Sequence, residues 1–286
     1  MSLQNARGMN RLTSWTRHTG ALTLTMAIGS ASVAAFQLVS VRDEIAIGQQ
    51  AQEEIRKQTP QVPDAQVRGY VAALGKQLAV HASGAEYPYS FSTADYRELN
   101  AFALPGGPVW INRGILVEAG NEAQVAGVMA HEIAHVAQRH SAQQITKGTV
   151  ANGLLGLLGA VLGNDGGAGA AAARIAAGVT ANSFMLKFSR DDEREADEEG
   201  VRIMQRAGFD TRGMLEFMQV LAQQSGRSGG AAEFLSTHPA PASRVRELEQ
   251  LVAQSGGGGR RTSEAFTAMK RRLAQLPPAQ AMPRGN

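Results

Sequence analysis

"MAHEIAHVAQRH", residues 129–140, decides how this chain is read. His131 and His135 are four residues apart, about 400° of α-helix, so both rings leave one helix face, one turn apart. Two imidazole nitrogens in that relation can reach one Zn2+ at ~2.0–2.1 Å. Glu132 is rotated ~100° from His131, too far round to ligate, but its carboxylate can reach a water on the metal. This is the HExxH arrangement of two ligands and a general base, which arises by chance in about one in a hundred chains of this composition. The competing reading is a packed helix carrying satisfied histidines. Val125, Val128, Met129, Ile133 and Val136 already supply an apolar body, so packing does not require the histidines.

A third ligand must come from elsewhere. His140 falls five residues past His135, and helical projection turns it away from the metal-facing side, as a bystander near the helix end. The metzincin spacing would need Gly and His where Gln138 and Ser141 stand. "SRDDEREADEEG", residues 189–200, offers more. Glu193 and Asp197 share one helix face, with Glu195 on the opposite side. An acid on the Glu193 face can bind zinc, and Asp197 can hydrogen-bond the free N–H of a histidine ligand and fix its ring. Taken alone, the run also reads as a solvated acidic face.

Bulk properties set the frame. At 286 residues and 43% apolar content the chain can build a real core of one or two domains. The formal charge is +3, and Arg7, Arg11 and Arg17 account for it, so no basic stripe for nucleic acid remains. Without cysteine there is no disulfide, lipid-anchoring thiol or thiolate zinc site. Residues 21–36, "ALTLTMAIGSASVAAF", follow those arginines and end in small residues, as in a secretory signal peptide. The alternative is an uncleaved anchor helix. Either way the globular part is expected outside the cytoplasm. The expected organisation is a leader over 1–35, a catalytic domain over 36–254, and a linker, short helix and disordered tail over 255–286.

Helices are expected over 42–59, 64–82, 121–140, 190–207, 211–224, 243–253 and 262–275 from three- and four-residue apolar spacing and capping residues. "YPYSFSTAD" reads as a strand, and "LNAFALPGGPVWINRG" as two short strands around Pro105-Gly106-Gly107. Val109 to Ile111 begins after a proline, which suits an edge strand. The fold class is therefore mainly α (α+β), with a small β-sheet whose edge strand flanks the active-site helix. The Gly/Ala-rich stretch 150–180 reads as a close helix pair, with a flap or a membrane-surface contact as the sharper alternatives.

HExxH followed by "SRDDEREAD" resembles zinc metallopeptidase family forty-eight, the HtpX and CAAX prenyl-protease type. "LNAFALPGGPVWINRGIL" resembles the family's strand segment, and "STHPAPASRV" its histidine-proline motif with an arginine six residues on, here His238 and Arg244. The resemblance covers roughly residues 42–252 and lies nearest the soluble periplasmic branch, without C-terminal helical repeats. It implies a zincin-like gluzincin fold and one Zn2+ per chain held by His131, His135 and Glu193, with Asp197 behind them.

The chemistry follows from those residues. Glu132 is the general base in peptide-bond hydrolysis. His238 and Arg244 are candidates for stabilising the oxyanion. His238 could instead act as a fourth zinc ligand that keeps the enzyme latent, and Arg244 could instead pair on the surface with Glu247 or Glu249. Asn100 either orients substrate or serves a turn. Val109 and Ile111 are expected to present a free edge to an extended substrate backbone. The expected substrates are unfolded or misassembled envelope proteins. The rivals are a chaperone-like binding factor and a membrane-associated scaffold.

Overall fold

The computed structural model describes residues 39–151, 187–224, 231–239 and 242–283. The expected leader and nearly all of the Gly/Ala-rich stretch lie outside the described residues. The chain enters through α1 (Val41–Gln58) and α2 (Ala65–Ala79), close to the bounds predicted from apolar spacing. Ser40 and Asp43 form a capping box at the head of α1. Asp64 accepts from the Gln66 and Val67 amides at the head of α2.

Three strands follow: β1 (Ser90–Ala94), β2 (Ala101–Ala103) and β3 (Pro108–Asn112), in the order β1-β3-β2. β3 runs parallel to β1 and antiparallel to β2. The strand holding Val109 and Ile111 is therefore central, not an edge, and its backbone is engaged on both sides. The proline misleads because Pro108 is the first residue of the strand, where a missing N–H removes no ladder bond. The far side of β1 is covered by residues 60–62, with Val62 N donating to the Thr93 carbonyl at 3.1 Å. Among the described residues β2 is the open edge, and it packs beside the histidine helix.

α3 (Arg113–Glu118) leads to α4 (Glu122–Ala137), every residue of which is buried. Asn121 caps α4 by accepting from Gln124 N at 3.1 Å. α4 does not continue to His140. Gln138 closes it, Arg139 takes φ +61°, and α5 (His140–Ala151) starts in a new direction. A left-handed arginine is held there by contacts: its Nε donates to Glu44 at 2.6 Å and its Nη2 to the Val39 carbonyl at 2.7 Å.

α6 (Arg190–Arg206) and α7 (Arg212–Gln224) pack on α4. Small residues make the approach possible. A Cβ on Gly127 would lie 2.6 Å from Met214 Cα, and one on Gly200 would lie 3.3 Å from the His131 nitrogen. α8 (Ala232–Thr237), α9 (Ala242–Gln254) and α10 (Glu264–Leu273) complete the described elements.

Residues 255–282 correct the expectation of a linker and a disordered tail. Gly256–Gly259 all take positive φ and turn the chain back, so that Arg260 N donates to the Gly208 carbonyl at 2.8 Å. α10 buries Phe266, Met269 and Leu273. The buried Arg113 guanidinium donates to the carbonyls of Leu273 at 3.1 Å and Pro277 at 2.8 Å. Gln280 then joins residues 95–97 as a short parallel bridge. A terminal position suggested disorder, but the backbone groups of Leu273, Pro277 and Gln280 find partners 160 or more residues away.

One ion-pair group in this body has a defined acid signature. Asp210 accepts from Arg212 Nε at 2.9 Å and from Arg261 Nη1 at 3.0 Å. The Arg212 hydrogen bond, aided by Arg261 and opposed by burial, holds its carboxyl at about 2. An unfolded aspartate titrates near ~3.9, so this stabilisation is fully present above that pH and is lost as pH falls through about 2. Asp210→Asn is expected to flatten the decline of metal-free stability between pH 4 and about 2. Urea midpoints measured across that range check it, and an unchanged slope would contradict it.

Candidate metal centre

Helix geometry brings His131 and His135 together as the four-residue spacing requires. Their Nε2 atoms are 3.0 Å apart, and both side chains are buried. α6 delivers Glu193 from the opposite wall. Its Oε1 lies 3.4 Å from His135 Nε2 and its Oε2 3.5 Å from His131 Nε2. His238, the residue that closes α8, places Nδ1 2.9 Å from Glu193 Oε1 and 3.4 Å from His131 Nε2. All four donor atoms lie within 4.8 Å of one another.

This donor set fits a zinc ion. Two ligands on one tetrahedral zinc at ~2.0–2.1 Å lie ~3.4 Å apart, close to the spacings of His131, His135 and Glu193. Two imidazole nitrogens and a carboxylate converging on one buried point suit a shared cation better than they suit one another. Glu132, the neighbour of His131, is wholly buried, and neither carboxylate oxygen has a hydrogen-bond partner among the described residues. Its nearest basic atom is His238 Nε2 at 3.6 Å. Burial, opposed by His238 and His131, raises its proton affinity above the usual carboxylate range. Burial pushes Glu193 the same way, but His238 and Arg244 outweigh it and hold that carboxyl well below its usual range.

Behind the donors the polar groups are paired. Asp197 Oδ1 lies 3.0 Å from His131 Nδ1, the ring atom turned away from the donor cluster. Arg244 clamps Asp197 in a fork, Nε to Oδ2 at 2.7 Å and Nη2 to Oδ1 at 2.8 Å, and its Nη1 reaches Glu193. Burial would raise Asp197, yet the Arg244 charge and the His131 hydrogen bond hold it at about 2. The guanidinium is buried and meets Asp197 and Glu193, not Glu247 or Glu249. Phe188 stacks on the His135 ring at 4.0 Å, and Phe234 on that of His238 at 4.6 Å. These two rings wall the site from water.

The structure thus gathers Glu132, His131, His135, Glu193, His238, Asp197 and Arg244 into one buried group. The three sheet residues stand apart in kind. Val109 and Ile111 are buried in the main apolar core, and Asn100 is buried at the head of β2, its carbonyl accepting from Asn112 N at 2.9 Å. His140 is the residue that helical projection misplaced. Because the chain turns at Arg139, His140 returns to the site, with its Nδ1 2.9 Å from His135 Nδ1 and its Nε2 3.3 Å from Glu195 Oε2. It is buried, not a helix-end bystander. The "QRH" that ends the opening stretch carried no visible signal for this, since arginine is not a residue that announces a left-handed turn.

Comparison with known proteins agrees with this geometry. The model of Peptidase family M48 matches residues 65–252. The chain is 33% identical over 239 residues to the beta-barrel assembly-enhancing protease of Escherichia coli (strain K12), covering 82% of this chain and 49% of that protein. The Yersinia pestis protein of the same name is 31% identical over 238 residues, with the same coverage of 82% and 49%. Mitochondrial metalloendopeptidase OMA1 of Schizosaccharomyces pombe is 33% identical over 156 residues, 54% of this chain and 44% of that protein. The chain spans about half the length of these curated relatives.

Proposed function

The chain belongs to peptidase family M48, and from that premise we propose that it is a zinc-dependent endopeptidase acting on unfolded or misassembled proteins of the cell envelope. The observation that carries the proposal is the buried donor group of His131, His135 and Glu193 with the Glu132 carboxylate beside it, which accepts no hydrogen bond among the described residues. When bound there, zinc would acidify a water and polarise the scissile carbonyl. Glu132 would accept the proton of the attacking water and return it to the leaving amine, a task suited to a carboxylate whose proton affinity is raised by burial. Asp197 holds the His131 ring, and Arg244 holds Asp197. The guanidinium is already engaged by two carboxylates, which favours a holding role over donation to an oxyanion.

The open edge of β2 supports recognition of an extended backbone by strand addition, a mode that selects for unfolded chains more than for sequence. The relatives' names, assembly-enhancing protease and metalloendopeptidase, point the same way. Export to the periplasm rests on the N-terminal segment. Among the described residues no helix is long and apolar enough to cross a membrane. The test is zinc content together with cleavage of casein, before and after chelation and zinc replacement. Activity that is indifferent to the metal would contradict the proposal.

His238 is read as a latch, since its Nδ1 is one of the four clustered donors and would compete for the position a substrate carbonyl needs. His238→Ala is expected to raise basal casein cleavage several-fold, measured by initial rates across pH and substrate concentration. Lower activity under every condition would remove the latch and leave His238 as a group that assists the reaction.

A further inference from the structure

From the chain of contacts His135–His140–Glu195 we infer that His140 and Glu195 are positioning residues that set the proton on the far nitrogen of His135 and so aim its Nε2 lone pair at the metal. The inference rests on the proposed metal site and adds to it a pair of residues that HExxH spacing does not contain. His140 is fully buried between the other two, while Glu195 is half-exposed on the face of α6 away from Glu193.

The proton order follows from chemistry. His135 Nε2 points into the donor cluster and His135 Nδ1 points at His140 Nδ1, 2.9 Å away. One of those two Nδ1 atoms must donate and the other accept. His140 Nε2 faces a Glu195 carboxylate oxygen at 3.3 Å, and a carboxylate only accepts. His140 therefore carries its proton on Nε2 and accepts at Nδ1, so His135 carries its proton on Nδ1 and leaves Nε2 free to ligate. The opposite order would set the His140 Nε2 lone pair against the carboxylate. Asp197 does for His131 in one step what Glu195 does for His135 in two. Glu193, Glu195 and Asp197 thus divide the work on one helix: one ligand and two ring-setting acids.

The fold supplies the geometry through the turn at Arg139. Its left-handed backbone, pinned by Glu44 and the Val39 carbonyl, is what swings His140 back onto His135. A continuous helix could not do so.

The test is competitive zinc titration of the full chain against a chromophoric chelator, with thermal midpoints of the metal-free proteins as the folding control. His140→Phe keeps the ring volume and removes the acceptor, and is expected to raise the zinc Kd about 10- to 100-fold. His140→Gln restores an acceptor toward His135 and a donor toward Glu195, and should recover to within about fivefold of wild type. Glu195→Ala, on the half-exposed face, folds without difficulty and should weaken zinc about three- to tenfold. His140→Phe combined with Glu195→Ala should bind no more weakly than His140→Phe alone. A Kd within twofold of wild type for both single variants, a glutamine that fails to rescue, or additive losses would overturn the inference while leaving the proposed function intact. Absence of zinc binding by the wild-type chain would overturn both.

Discussion

Glu132→Gln is expected to keep its zinc and to lose casein cleavage by about 10²- to 10⁴-fold, the range by which a positioned proton-transfer group accelerates a reaction. The substitution is a clean one here. The carboxylate is fully buried and its oxygens have no hydrogen-bond partner among the described residues, so the amide breaks no hydrogen bond there and loses only the 3.6 Å approach to His238. It also removes a group whose ionisation burial opposes, so stability should hold or rise slightly. The proposed ligands His131, His135 and Glu193 are untouched. Metal content and initial rates measured on one preparation check the result. The same variant separates the rival reading, because a chaperone-like factor would still hold unfolded clients and prevent their aggregation at wild-type efficiency. Equal cleavage by variant and wild type would remove Glu132 from the mechanism.

Arg244→Met is expected to destabilise the metal-free protein by about 3–5 kcal/mol, the usual loss when one member of a buried ion pair is removed. Methionine keeps much of the volume but leaves two buried carboxylates, Asp197 and Glu193, facing each other without their common cation. Zinc should reduce the loss, since the ion supplies positive charge beside Glu193 that the guanidinium no longer provides. Urea midpoints with and without zinc measure both quantities. A role confined to the oxyanion predicts instead a fall in kcat with stability unchanged, and that outcome would return Arg244 to direct chemistry.

The parts of this molecule that were legible in the sequence are those governed within single elements. His131, Glu132 and His135 lie on one helix, and Glu193 and Asp197 on another, so residue arithmetic at 100° per step placed each pair correctly on its face. Asn121 marked the start of its helix through its own side chain. What failed depended on partners distant in the chain. The arithmetic for His140 was carried across Arg139, where a buried Glu44 95 residues away holds a left-handed turn. β3 became the central strand because β1 returns alongside it in parallel, a pairing that no property of "PVWIN" reveals. Residues 277–282 looked like a solvated tail because the Arg113 guanidinium and the residue 95–97 backbone that capture them lie far upstream. The candidate ligands and Asp197 were thus legible within single helices, whereas His140 and the turn that brings it to His135 were not.

His131, His135 and Glu193 are proposed to hold one catalytic zinc, and the other predictions rest on that assignment. Anomalous X-ray diffraction at the zinc absorption edge, on crystals of the purified chain, tests it most directly. A single strong peak is expected ~2.0–2.2 Å from the Nε2 atoms of both histidines and from a Glu193 oxygen, absent in crystals of Glu193→Ala. A peak at another group of side chains, or one that persists with full strength in Glu193→Ala, would contradict it.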